Sequence, residues 1–89
     1  MSDSYMRVGA LRASLEGVDD DMLVIIQKDA EGNDYSPLAM AEEARYVAER
    51  PWFGECYMTD EQVDADPNYT DEDKAPEGAV PCWVLVPVN

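Results

Sequence analysis

Apolar side chains recur at Val8, Leu11, Leu15 and Val18. Intervals of three and four place them on one stripe of a helix. The helix is predicted from about Arg7 to Glu16, with Gly17 suited to the position just past its end. Asp19-Asp20-Asp21 then makes a solvated turn, and the pattern changes. Met22-Leu23-Val24-Ile25-Ile26 is an unbroken β-rich run, the most apolar in the chain and too short for a typical helix. Such a run reads as a central strand buried on both faces, one of them against the helix.

Asp29 to Asp34 encloses Gly32-Asn33, two residues that tolerate positive φ, so a tight reversal is expected there. Two readings compete over 38–49. Leu38-Ala39-Met40-Ala41-Glu42-Glu43-Ala44 is rich in helix formers, and Ser36-Pro37 could serve as N-cap and first-turn proline. The reversal just before it instead calls for a returning strand that brings Leu38, Met40 and Tyr46 to the core. Propensity alone does not decide between them. Arg50-Pro51 breaks whatever precedes it. Phe53 to Met58 reads as a strand, and Thr59 as the cap of a short helical turn through Asp60-Glu61-Gln62-Val63. A polar surface loop over 64–78 follows. The chain closes on a strand, Val80 to Val88, in which Cys82, Val84 and Val86 share one face and Trp83 and Leu85 the other. Pro81 and Pro87 confine its hydrogen bonding to the middle, and Trp83 is expected in the core.

These elements predict one α+β domain over residues 1–89. One N-terminal helix packs on a small, mostly antiparallel sheet of about four strands, with residues 1–6 a loose lead-in and 64–78 an acidic surface loop. At 89 residues with 46% hydrophobic content, the chain has room for one modest core and no deep substrate cavity.

Charge changes the picture. Twenty acids against six bases leave a net charge of -14, where a small domain carries a magnitude of about 2–8. Repulsion of that size excludes nucleic acid and anionic membrane as direct partners and favours a basic one. No basic-then-apolar leader is present and no run approaches a membrane span, so the expected location is cytoplasmic. In that compartment Cys56 and Cys82 are expected to be reduced, buried core residues that lie near each other.

The chain has no histidine. This removes His-based acid–base chemistry, Ser-His and Cys-His nucleophile pairs and most zinc sites. There is no phosphate-binding glycine motif, and paired carboxylates arise by chance among 20 acids. No catalysis and no cofactor are expected. Asp64, Asp66 and Asn68 alternate as in a calcium loop, but Tyr69 stands where that loop needs Gly and Ala75 where it needs Glu. A cation-binding module is therefore the weakest reading.

Several motifs carry a resemblance. They are Lys28-Asp29-x-Glu31-Gly32-Asn33-x-Tyr35-Ser36-Pro37-Leu38, Arg45-Tyr46-Val47, Trp52-x-Gly54-Glu55-x-Tyr57 and Val84-Leu85-x-Pro87-Val88-Asn89. From about Arg7 onward the chain resembles a family of small acidic proteins of tailed bacteriophages and prophages, which has no assigned activity. The resemblance implies a phage or prophage origin and a strand around Arg45-Tyr46-Val47.

Together these readings point to a non-enzymatic interaction protein that binds and inhibits a host protein with a basic surface, by acidic nucleic-acid mimicry. Duplex DNA offers one charge per about 1.7 Å of axis. Carboxylates on alternate strand residues stand about 6.6 Å apart, so mimicry needs several rows of acids. The candidate partner-binding residues are Trp52, Asp60, Glu61, Asp64, Asp66, Asp71, Glu72 and Asp73. The alternative is a phage structural or assembly accessory that acts by self-association.

Overall fold

The structure, a computed structural model, describes residues 5–89; the start of the expected lead-in, 1–4, lies outside them. In chain order the elements are helix α1 (Val8–Ser14), strands β1 (Ile25–Gln27), β2 (Tyr35–Arg50) and β3 (Phe53–Tyr57), helix α2 (Asp60–Ala65), a 3-10 turn (Asp71–Asp73) and strand β4 (Val80–Pro87). The class is α+β: an early helix, a four-stranded antiparallel sheet and a second small helix.

The organising element is β2. Its 16 residues pair with every other strand. The segment with two open readings is therefore strand throughout, including Arg45-Tyr46-Val47. Three antiparallel neighbours offer it more backbone hydrogen bonds than an isolated helix could keep, and tertiary pairing overrides propensity. Arg45 pairs with both Tyr57 on β3 and Pro81 on β4, so β2 lies between them. At its other end the Leu38 N–H donates to the Val24 carbonyl (3.0 Å), while the Pro37 carbonyl accepts from the Val88 N–H (2.9 Å). Successive strand residues aim their backbone groups at opposite edges. β1 and β3 therefore share one edge of β2, and β4 covers the other.

The same alternation explains the prolines of β4. Val88 faces β2, so Pro81, Trp83, Leu85 and Pro87 turn their backbone groups to the free edge. A proline there has no N–H to offer an added strand, which blunts the edge.

Local rules hold at the turns. Gly17 ends the α1 region at φ 77°, and Gly32 has φ 76° at the hairpin. The Asp29 carboxylate stabilises that hairpin by accepting from the backbone N–H groups of Glu31 (2.9 Å) and Asn33 (3.2 Å). These bonds, that from Asn33 foremost, hold its pKa below the usual 3.8.

Burial departs from the sequence reading. Met22–Ile26 is no central strand: only Ile25–Gln27 is strand, it lies on an edge, and Met22, Leu23, Val24 and Ile25 are exposed, Leu23 by 70%. α1 buries none of its residues. Its stripe faces β4 across a shallow cleft of about 290 Å³ lined by Val8, Leu11, Arg12, Leu15 and Trp83. Trp83 is 51% exposed rather than core, and Met40 is exposed as well. The reason is geometric. One long strand bordered by short ones makes a narrow sheet, and a seven-residue helix is too short to roof it. Among the described residues the buried hydrophobic ones are Ala44 and Val63, joined by the polar Ser36 and Thr59.

Candidate functional site

The acidic segment between β3 and β4 is built rather than loose. Thr59 and Gln62 form a capping box at α2: the Gln62 N–H donates to Thr59 Oγ1 (3.1 Å) and the Thr59 N–H to Gln62 Oε1 (2.9 Å). Two backbone N–H groups at the helix N-terminus are thereby satisfied, and Asp60 and Glu61 sit in its first turn where the dipole favours carboxylates. Val63, 2% exposed, anchors the helix, and the Gln62 side-chain amide donates to the Glu43 carbonyl of β2 (3.4 Å). A second box follows in the region expected as plain loop. The Thr70 N–H donates to Asp73 Oδ2 (2.8 Å) and the Glu72 N–H to Thr70 Oγ1 (3.3 Å), starting the 3-10 turn. The Thr-x-x-Asp spacing at Thr70 was the sequence signal for it.

Lys74 joins the two turns. Its ammonium lies 3.1 Å from Asp64 Oδ1 and 3.2 Å from Asp71 Oδ1. The Asp64 hydrogen bond, followed by that of Asp71, raises the Lys74 pKa above its usual value. Asp66 Oδ1 accepts from the Asn68 N–H (2.9 Å), closing a turn of its own. Of the oxygens considered for calcium, Asp64 thus holds an ammonium and Asp66 a backbone amide. Asp60, Glu61, Asp64, Asp71, Glu72 and Asp73 are exposed and Asp66 half-exposed.

The structure brings these seven acids into one capped segment, but not Trp52. Trp52 stands at the β2–β3 turn, 77% exposed, its ring tilted against Phe53 at a centroid distance of 6.2 Å. The five residues of β3, followed by Met58 and Thr59, separate it from the start of α2, the strand alone spanning about 17 Å. It is a separate exposed feature.

The cysteines need a correction. Cys56 is exposed and Cys82 half-buried, so neither is a core residue. Cys56 pairs with Tyr46 and Cys82 with Ala44, which puts both on one face of the sheet. Burial first, and then Cys56, pushes the Cys82 thiol up.

Among the described residues no group of three His, Cys, Asp or Glu side chains could hold a metal ion. Also among them, no helix is long and apolar enough to cross a membrane. No family model, curated protein or solved structure matches the chain.

Proposed function

We propose that this is a non-enzymatic, phage-type interaction protein that binds a basic surface of a host protein and inhibits it by presenting carboxylates in place of nucleic-acid phosphates. The observation that supports this reading is the capped acidic segment. From Asp60 to Glu77 there are eight acids and one base, fixed by two capping boxes and a shared lysine. A surface that only solubilised the protein would gain nothing from such ordering, whereas a fixed array steers a basic partner and sets its register. The likeness of the Lys28–Leu38 and Trp52–Tyr57 motifs to small acidic phage proteins agrees with a host target in the bacterial cytoplasm.

The test is capture from nuclease-treated bacterial lysate by wild type and by a variant carrying Asp64→Asn, Asp66→Asn, Asp71→Asn, Glu72→Gln and Asp73→Asn. Asn at 73 keeps an oxygen for the Thr70 cap. Wild type is expected to retain a nucleic-acid-binding protein with an affinity that falls steeply with salt. The amide variant keeps the oxygen acceptors of both capping boxes, gives up the Lys74 ion pairs, and loses that partner, mainly through a slower on-rate. Equal affinity and equal salt slope for the two proteins would reduce the segment to a solubilising face.

A further inference from the structure

The surface left open by this fold is too large for a single chain. The structure exposes 7328 Å², whereas a folded monomer of 9.9 kDa exposes about 5,200 Å². The excess, about 2,100 Å² summed over the whole chain, is on the scale of what each partner gives up in an obligate dimer, whose interface totals about 2,000–5,000 Å². The exposed large apolar residues are densest in the N-terminal region, from Tyr5 to Ile25. Leu15 and Val18 just past α1, Met22, Leu23 and Val24 further along the chain, and Trp83 across the cleft from α1 are all exposed.

We propose that this N-terminal apolar arm is covered by the arm of a second copy of the chain, and that the protein is a homodimer. Three observations favour this occupant. First, Ala44 and Val63 are the only buried hydrophobic side chains among the described residues. Burial on that scale does not offset the entropy of ordering the chain, so the missing cover is needed whenever the protein folds. A second copy is the one surface always made with it. Second, charge is segregated. Residues 1–28 hold five acids and three bases, whereas 29–89 hold fifteen acids and three bases. Two arms can therefore meet while the strongly repelling parts point away. Third, Pro81 and Pro87 blunt the free edge of β4, so on that side the copies meet through the arm and the Trp83 face rather than by adding a strand to β4. This inference is independent of the host-partner reading, since it uses a different surface.

Salt separates the two readings. Like-charged copies associate more tightly as salt screens them, whereas an acid–base partnership weakens. Sedimentation or light scattering between about 1 and 200 µM, at low and physiological salt, is expected to give twice the 9.9 kDa chain mass. The melting temperature rises with protein concentration, as mass action requires. In Trp52→Phe, which leaves Trp83 as the sole tryptophan, emission is blue-shifted at high concentration and moves to the red on dilution. Leu23→Asp weakens association by at least roughly 30-fold, the loss of one interface anchor. In a lone chain that exposed position would tolerate the change. A one-chain mass with a cooperative, concentration-independent melt at both salts would overturn the proposal. So would a Leu23→Asp protein that stays at the two-chain mass. The wild-type concentration series decides the matter even if the variant fails to fold.

Discussion

Adding one methyl group at Gly54 tests the register of β2 against β3. Gly54 pairs with Ala48 just before the irregularity at Ala48 and Arg50. A Cβ built there would collide with the Val47 carbonyl oxygen and come within 2.8 Å of the Tyr46 ring. The ring alone could swing aside; the carbonyl belongs to the strand and cannot move without disturbing the pairing. Forcing a methyl group into a packed site costs about 1–3 kcal/mol. A domain of this size loses about 4–8 °C of melting temperature per kcal/mol, so Gly54→Ala is expected to melt at least about 4 °C below wild type. Adding Tyr46→Ala to Gly54→Ala should not restore the loss, because the carbonyl contact survives. Gly9→Ala is the control. Its Cβ would meet nothing within 4 Å, and alanine in a helix is favoured by about 0.5–1 kcal/mol over glycine, so this variant melts no lower than wild type. Thermal melts at one fixed concentration read all three. A Gly54→Ala protein melting within a degree of wild type would refute the stated pairing, and recovery in the double variant would assign the clash to the ring.

Thr59→Ala removes the acceptor of the Gln62 N–H and should cost about 1 kcal/mol, seen as a lower melting temperature together with weaker capture of the basic partner; unchanged values would mean α2 is held by Val63 and the Gln62 side chain without the cap. Native thiol labelling should be biphasic, with exposed Cys56 fast and Cys82, whose thiol is pushed up by burial, slow at neutral pH; equal rates would contradict their unequal exposure. Asp29→Ala should lower the melting temperature at pH 7. Because hydrogen bonding depresses the folded-state pKa of Asp29 below 3.8, its contribution is complete above that value and is lost as the pH falls through the depressed one. The deficit should therefore shrink in acid, and a deficit independent of pH would point to the backbone rather than the carboxylate.

What the sequence determined by itself was local. The spacing of Val8, Leu11 and Leu15 set a helix, Gly17 and Gly32 supplied the positive φ their turns needed, and Thr59 capped α2. The acids between β3 and β4 were legible as a charged segment, and the absence of histidine excluded whole classes of chemistry. Each of these depends on neighbours within a few residues, so each was readable without a fold. Tertiary structure decided the rest. Residues 38–49 had helical propensity and became strand because three other strands pair with them. Met22 to Ile25 looked like the centre of the sheet and lies uncovered at its edge, because apolarity says that a segment is to be buried but not against what. The same holds for Trp83. The unequal settings of Cys56 and Cys82, and the lysine held between Asp64 and Asp71, depend on strand order and on contacts across a loop. Spacing along the chain carries no record of those contacts, which pairing across the sheet and packing of the capped segment create.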